Sequence, residues 1–346
     1  MRQKGLPRHF AVVLAGLVGL VGIASCDSGG GSARKLRLGY FANITHAPAI
    51  VGVDKGFFQD ALGSDVKLEV VTFNSGPEAI EALFSGSIDA SFIGPSPAIS
   101  GYQKSEGDAL RIVAGSTSGG AALVVRDGID SANDLAGTTL ASPSLGNTQD
   151  VALRSWLANQ GYETDTSAGG DVSIRPQDNA ETLTTFIDGQ IDGAWVPEPW
   201  ATRLVQEGGG HVLLDEADLW PSGDFVTTQL IVSRKYLAKH SANVASLLNG
   251  LLEAIDWINA SPADAKSAVN AGIKAITTKE LKQETIDAAW ENLKFTYDPI
   301  ASSLEVSKDR AVSVGLLDDI DLDGIYDLAL LNAALKARGV REVSGS

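Results

Sequence analysis

The sequence contains a single cysteine, Cys26, so no disulfide can form within one chain and stability must come from packing. Histidine is scarce as well, and its four residues are scattered rather than paired at the spacing of a metal site. The sequence also lacks a Gly-x-Ser-x-Gly nucleophile elbow and a phosphate-binding loop. These absences argue against a catalytic function, and we expect no metal and no cofactor.

The sequence also has no apolar run that is clearly long enough to span a membrane. The run at residues 10–23 is short for a bilayer and follows Arg2, Lys4 and Arg8, as in a secretory signal. It ends Ile-Ala-Ser-Cys, and small residues before a cysteine resemble a bacterial lipobox. We therefore expect a signal peptide at residues 1–25, a lipid anchor at Cys26 and a flexible tether at residues 26–33. The alternative is an ordinary signal peptide or anchor with an incidental cysteine.

Basic residues are outnumbered, with 27 Lys and Arg against 43 Asp and Glu and a net charge of −16. Cleavage of the signal peptide would remove further basic residues and make the mature chain more acidic. Such a surface repels nucleic acid and anionic lipid headgroups. We therefore expect no nucleic-acid partner.

One acidic string, DIDLDG at residues 319–324, imitates the first half of a calcium loop. A calcium loop needs a bidentate acid at its twelfth position, where this chain has Leu330. We interpret these aspartates as helix-start and loop acids.

A segment of the chain occurs twice, as IDGQIDGAWVPEPW at residues 187–200 and as FSGSIDASFIGPSP at residues 84–97. In both copies an apolar helix pattern ends on a glycine, Gly86 or Gly189, where a helix C-cap favours a positive φ. A short apolar strand and a proline-containing loop follow. Further strand patterns upstream of each copy complete two βαβαβ units.

Small-residue stretches predict that the chain crosses between these units near residues 115–122 and again near residues 222–231. Everything after Arg234 is predicted to be helical and must bury its apolar faces on a sheet made earlier. The predicted fold class is α/β, with two doubly wound lobes joined by a two-strand hinge and a C-terminal helical region packed on lobe 1. The predicted domains are lobe 1 at residues 34–116, lobe 2 at residues 117–222 and a return to lobe 1 at residues 223–346.

In open parallel sheets, ligands bind beyond the carboxyl ends of the strands, where helix N-termini present unpaired amides. The loops at these positions are residues 42–48, 74–77, 94–97, 142–148, 177–179 and 197–200. They contain no Lys or Arg, so a bound anion would be held by amides, hydroxyls and helix termini. The candidate ligand-binding residues in or beside them are Asn43, His46, Ser75, Ser96, Ser142, Asn147, Thr148, Trp195 and Glu198. The alternative for each is an ordinary cap, turn or core residue.

Several segments resemble the type II periplasmic solute-binding proteins of ABC importers, in particular the sulfonate, taurine and nitrate branch. They are LRLGYFANITHAPAIVGVDKGFF, GSIDASFIGPSPA, QIDGAWVPEPWATRLV and DGIYDLALLNAALK. The resemblance covers nearly the whole mature chain. It implies a lipoprotein that closes on a small solute and delivers it to a membrane permease, and it adds Thr227 and Thr228 on the crossover strand to the candidate ligand-binding residues.

The expected function is therefore capture of a small organic anion, with an alkanesulfonate as first candidate, by a monomer outside the cytoplasm. Nitrate, bicarbonate, a pyrimidine-type solute or a zwitterion gripped by Trp195 and Glu198 are the alternatives within this class. An enzyme on the same fold would need clustered histidines or cysteines. The effector domain of a transcription regulator would need a DNA-binding segment, where this chain has an export signal.

Overall fold

The computed structural model describes residues 34–345, so the predicted signal peptide, Cys26 and the tether at residues 26–33 lie outside the described residues. Within residues 34–345 no helix is both long and apolar enough to cross a membrane. The strands are β1 (Arg34–Phe41), β2 (Val66–Phe73), β3 (Ala90–Ile93), β4 (Leu110–Gly119), β5 (Ala121–Val125), β6 (Thr139–Ser142), β7 (Ser173–Pro176), β8 (Gly193–Pro197), β9 (His211–Asp215), β10 (Val226–Ser233) and β11 (Leu293–Phe295). The α-helices are α1 (Ala47–Asp54), α2 (Phe57–Leu62), α3 (Gly76–Phe84), α4 (Pro95–Lys104), α5 (Thr148–Asn159), α6 (Asn179–Ile187), α7 (Trp200–Gln206), α8 (Arg234–Lys239), α9 (Ser241–Ala260), α10 (Pro262–Thr277), α11 (Gln283–Trp290), α12 (Ala301–Ser313) and α13 (Ala329–Ala337).

The strands form two sheets with a shared arrangement. The first has the order β11-β4-β10-β3-β1-β2 and the second the order β7-β6-β8-β5-β9. In the first sheet β1 is parallel to both β2 and β3, and β10 runs antiparallel to β3. In the second sheet β6 is parallel to both β7 and β8, and β5 runs antiparallel to β8. The duplicated, two-lobed α/β fold predicted from the sequence is confirmed.

The aspartate of the repeated segment has the same role in both lobes. In lobe 1 the Asp89 carboxylate accepts a hydrogen bond from the Arg37 backbone N–H at 2.9 Å, and the Asp89 N–H donates to the Arg37 carbonyl at 2.8 Å. In lobe 2 Asp192 makes the same pair of bonds with Thr139, at 2.8 and 2.7 Å. Each aspartate therefore fastens the third strand of its unit to the first. In lobe 1 the Arg37 guanidinium adds two bonds to the same carboxylate, at 2.9 and 2.7 Å.

The first connection between the lobes is very short, because β4 ends in the first sheet at Gly119 and β5 begins in the second at Ala121. Gly119 and Gly120 have φ values of +80° and +75°, a left-handed conformation that glycine adopts without strain. A Cβ on Gly119 would lie 2.6 Å from the Asn292 carbonyl oxygen, so a side chain is excluded there. The chain returns between β9 and β10 through two 3-10 helices, Glu216–Leu219 and Pro221–Gly223. The domain limits proposed at residues 116 and 222 stay predictions.

Each sheet has an apolar layer on both faces. In lobe 1, one face packs against α1, α2, α9, α10 and α13, and the other packs against α3, α4 and α12. In lobe 2, Leu123 and Trp195 face α5, whereas Val124 and Val196 face α6 and α7. The C-terminal helices therefore bury their apolar faces on the first lobe, as the sequence predicts.

The prediction that everything after Arg234 is helical is wrong at β11, which pairs antiparallel with the end of β4. A strand of three residues is too short to leave a period-two pattern, and its pairing depends on the distant edge of β4. Helix α12 agrees with the predicted helical region, and its buried residues are half polar, with Ser303 and Ser307 beside Leu304 and Ala311.

We expect Asp89→Ala to lower the free energy of unfolding by about 2–3 kcal/mol, because it removes three hydrogen bonds to a charged group. Asp192→Ala should cost less, about 1 kcal/mol, because its carboxylate makes fewer bonds and is more exposed. The side chains of Asp89 and Asp192 are 10% and 38% exposed, respectively. Urea unfolding followed by circular dichroism measures both losses, and equal losses would contradict this assignment.

Candidate functional site

The loops that follow the parallel strands of the two lobes come together at two places. Four of the six predicted loops line a cleft of about 330 Å³, to which they contribute Asn43, Asn74, Asn179 and Trp200. The cleft lies where β2 and β7 form the sheet edges far from the hinge. The other two loops, residues 94–97 and 142–148, meet each other across the lobes. The positions that sequence reasoning selected from the carboxyl ends of the strands are therefore brought together in space.

Direct hydrogen bonds join the lobes beside this cleft. The Trp200 indole N–H donates to Asn43 Oδ1 at 2.9 Å, and the Asn292 amide donates to Glu198 Oε1 at 2.7 Å. Farther along α7, the Thr285 hydroxyl of α11 donates to Gln206 Oε1 at 2.6 Å. In this structure the lobes are therefore closed on each other.

Helix α5 of lobe 2 also packs on α4 and α12 of lobe 1. Its residue Val151 is 2% exposed and belongs to the apolar cluster of lobe 1 that includes Ile93 and Leu304. The start of α5 comes very close to the β3–α4 loop, because a Cβ on Gly94 would lie only 2.3 Å from Thr148 Oγ1. Glycine at position 94 therefore permits this approach of the two lobes.

A group of buried side-chain atoms around this contact has no hydrogen-bond partner within the described part of the chain. Three belong to predicted site residues: the hydroxyls of Ser96, Thr148 and Thr228. Sequence reasoning missed the others on β4 and β10, which are the hydroxyls of Ser116 and Thr117 and both amide atoms of Gln229. A buried polar atom without a partner costs about 1–3 kcal/mol. Thr148 belongs to lobe 2 and the others to lobe 1, so both lobes contribute such atoms.

Three other predicted residues make hydrogen bonds within lobe 2. The Ser142 hydroxyl donates to Asp150 Oδ1 at 2.7 Å, and Asp150 is held in turn by Arg154 at 3.1 Å. Asn147 Oδ1 accepts a hydrogen bond from the Thr148 N–H at 2.7 Å and so orients the start of α5. Trp195 is fully buried in the lobe 2 core, and its indole N–H donates to Glu216 at 2.9 Å. The ligand-binding roles of Ser142, Asn147 and Trp195 stay predictions.

Glu198 lies at the junction of the lobes and is 2% exposed. Its carboxylate accepts hydrogen bonds from the Thr202 N–H, the Thr202 hydroxyl and the Asn292 amide. Burial raises the pKa of this carboxyl, and these three donors oppose that rise. Because Asn292 belongs to lobe 1 and Glu198 to lobe 2, the bond between them ties the two lobes together.

His46 lies below the cleft with its ring on Phe41, at a centroid distance of 4.5 Å, and its Nδ1 accepts from the Phe41 N–H at 3.4 Å. Burial lowers the pKa of His46 from 6.5 to about 3, so the imidazole is neutral at physiological pH. Of the remaining predicted residues, Thr227 donates its hydroxyl to the Gly119 carbonyl at 2.6 Å. Ser75 is the N-cap residue of α3 and makes no side-chain capping bond.

Positive charge reaches the rim of the cleft from outside the predicted loops. Arg203 of α7 and the exposed Lys279 both line it. Arg203 pairs with Glu207 at 2.7 Å and lies over the Trp200 ring at 4.7 Å. Among residues 34–345, no three His, Cys, Asp or Glu are grouped to hold a metal ion.

Two α/β lobes joined by a hinge, with post-strand loops of the two lobes coming together, define a two-lobed binding protein of the periplasmic-binding-protein fold. The chain belongs to the NMT1-like family, whose sequence profile matches residues 29–273. This family assignment agrees with the resemblance of the sequence to type II periplasmic solute-binding proteins.

Individual relatives support this assignment. A protein of Bacillus subtilis that carries the provisional name aliphatic sulfonates-binding protein is 23% identical over 346 residues, which cover 96% of this chain and 97% of the relative. The alkanesulfonate-binding protein SsuA of Xanthomonas axonopodis pv. citri, solved with bound MOPS, has a TM-score of 0.70 at 18% identity and covers 85% of this chain and 98% of its own. The periplasmic nitrate-binding protein NrtA of Synechocystis PCC 6803 has a TM-score of 0.71 at 18% identity and covers 88% of this chain and 89% of its own.

The buried neutral imidazole of His46 predicts a loss of stability in acid. Because its pKa is lowered to about 3, its contribution is present above pH 6.5 and is lost as the pH falls toward 3, where the unfolded chain binds a proton that the folded chain excludes. His46→Gln should therefore show a smaller drop in melting temperature between about pH 6.5 and pH 4 than the wild type. His240→Gln, which changes a half-buried histidine on the α8–α9 connection, is the control and should keep the wild-type drop.

The bond from Trp200 to Asn43 predicts a link between closure and affinity. Trp200→Phe keeps the ring but removes the donor, and we expect roughly 2- to 10-fold weaker solute binding, which corresponds to the net value of one hydrogen bond. Small-angle scattering of the solute-free protein should show a more open particle. Trp257→Phe, on α9 and packed on Phe57, is the matched control. Unchanged affinity and unchanged scattering in Trp200→Phe would refute the role of this tie.

Proposed function

We propose that the protein is the extracytoplasmic solute-binding component of an ABC import system and that it captures a small organic anion between its lobes. One observation carries this proposal: closed lobes bring together buried hydroxyls from both sides that have no partner in the described chain. A solute that accepts hydrogen bonds would satisfy Ser96 of lobe 1 and Thr148 of lobe 2 at once. Such a solute stabilises the closed form because it binds the open form less well.

The start of α4 and the start of α5 favour an acceptor that is negatively charged. Both helices point their N-termini at the contact between Gly94 and Thr148, and a helix N-terminus carries partial positive charge. Pro95 and Pro97 have no N–H, so Ser96 is left as the residue of the first turn that can donate from both its backbone and its side chain. An oxyanion therefore fits this place better than a cation does.

An alkanesulfonate is the first candidate among such anions. The names of the Bacillus subtilis relative and of SsuA support a sulfonate, and that of NrtA supports nitrate as the second candidate. We propose binding without a catalytic step, in line with the relatives named as binding proteins.

The remaining parts of the proposal concern the cell. We propose that the ligand-binding set consists of Asn43, His46, Ser75, Ser96, Thr148 and Thr228, with Ser142, Asn147, Trp195, Glu198 and Thr227 in support. We further propose a signal peptide at residues 1–25, lipidation at Cys26, action as a monomer outside the cytoplasm, and delivery of the solute to a membrane permease. The same relatives support the extracytoplasmic location and the small-molecule ligand.

Calorimetry on the protein without residues 1–26 tests the proposal with a panel of ethanesulfonate, nitrate and bicarbonate. We expect ethanesulfonate to bind and to raise the melting temperature. Ser96→Ala and Thr148→Val should each weaken its binding by about 10- to 100-fold, because each removes a hydrogen bond to a charged group. Ser267→Ala, on the exposed side of α10, is the control and should bind like the wild type. Absence of binding to every member of the panel would overturn the proposed function.

A further inference from the structure

Gln229 is a buried amide that the protein does not satisfy. It lies on β10 between Ile93 of β3 and Gly115 of β4, and it is 0% exposed. Neither its Nε2 nor its Oε1 has a hydrogen-bond partner within residues 34–345. Because Leu230, Ile231 and Val232 follow it on the same strand, an apolar residue at this position would suit the sheet as well. An amide here therefore needs a partner from elsewhere.

The position of Gln229 relates it to the crevice. Its antiparallel partner Ile93 is the last residue of β3, directly before Gly94 and the start of α4. Strand alternation places Gln229 on the same face as Ile231, whose apolar cluster includes Val151 of the other lobe. Gln229 therefore lies on the face of β10 that borders the contact between the lobes.

The chemistry of the unpartnered atoms differs between Gln229 and its neighbours. Hydroxyls such as those of Ser96 and Thr148 can donate to an oxyanion, and so can the Gln229 N–H groups. Gln229 Oε1 can only accept, and a sulfonate or a nitrate has no proton to give. An unsubstituted oxyanion would leave this carbonyl oxygen buried and unpaired, which is the situation that binding sites use to reject an analogue.

We propose that Gln229 recognises a hydrogen-bond donor on the solute, so that the preferred ligand is an oxyanion whose organic chain carries a hydroxyl, amide or amino group. This inference rests on the proposed solute-binding function and sharpens it. The oxyanion end takes the hydroxyls and helix termini contributed by Ser96 and Thr148. The donor end meets Gln229 Oε1, while the Gln229 N–H groups remain available to the acceptor of the same substituent.

The test uses two probes that differ by one hydroxyl, ethanesulfonate and 2-hydroxyethanesulfonate, measured by calorimetry. We expect the wild type to bind the hydroxylated probe at least 10-fold more tightly. Gln229→Leu should reduce this preference to below 3-fold, chiefly through weaker binding of the hydroxylated probe. Gln160→Leu, at the exposed end of α5, is the matched control and should keep the full preference.

A second measurement separates recognition from a structural role. Solute-free Gln229→Leu should melt no lower than the wild type, because no protein hydrogen bond is lost. A clear drop in its melting temperature would identify Gln229 as a structural residue and overturn the inference. Equal binding of both probes by the wild type would also overturn it while leaving the proposed function intact, whereas binding of neither probe and of no other anion in the panel would remove the proposed function itself.

Discussion

Closure of the two lobes leaves polar atoms buried without partners, and this constraint governs the whole structure. Ser96, Thr148, Thr228 and Gln229 are all buried in this closed form, and each has a side-chain atom without a hydrogen-bond partner in the described chain. In an open form water would bond to the same atoms, so an empty closed form carries their desolvation cost. A solute with complementary groups removes that cost. The equilibrium between the open and closed forms therefore depends on which solute occupies the crevice.

Contacts between the lobes oppose this cost even without a solute. The ties from Trp200 to Asn43 and from Asn292 to Glu198 hold one side, and Val151 fills an apolar position of lobe 1 on the other. The hinge between them resists little, because Gly119 and Gly120 accept the left-handed turn without strain. The two forms can therefore lie close in free energy, and a shift of the open-to-closed ratio from 99:1 to 1:99 takes about 5.5 kcal/mol of differential binding. A few charged hydrogen bonds from both lobes are of this size.

The fold could be predicted from the sequence because residues of the repeated segment mark where its helices and strands end. Gly86 and Gly189 end their helices at φ values of +70° and +74°, as the C-cap pattern predicts, and the aspartates that follow fix the strand order. The loops of the site follow from the same topology. The sequence could not show which polar side chains find a hydrogen-bond partner in the tertiary structure. For Ser142 and Glu198, only the folded chain shows that Asp150 and Asn292 are their hydrogen-bond partners.

The sequence does not predict Gln229 as a site residue, for a related reason. Its strand continues as an apolar run, and only the absence of a partner in the folded chain distinguishes its amide from an ordinary buried one. The signal was present, since a glutamine directly before Leu-Ile-Val is unusual in a central strand. The three-residue strand β11 was not predictable from its local pattern either, because its pairing depends on the distant end of β4.

The buried position of Val151 has a thermal consequence. Parting of the lobes wets this side chain and its neighbours in lobe 1, and the free energy of hydrating apolar groups becomes less unfavourable on cooling. The closed form is therefore less stable at low temperature, although its hydrogen bonds remain. The affinity for solute should consequently fall on cooling, by an amount that depends on the size of the side chain at position 151.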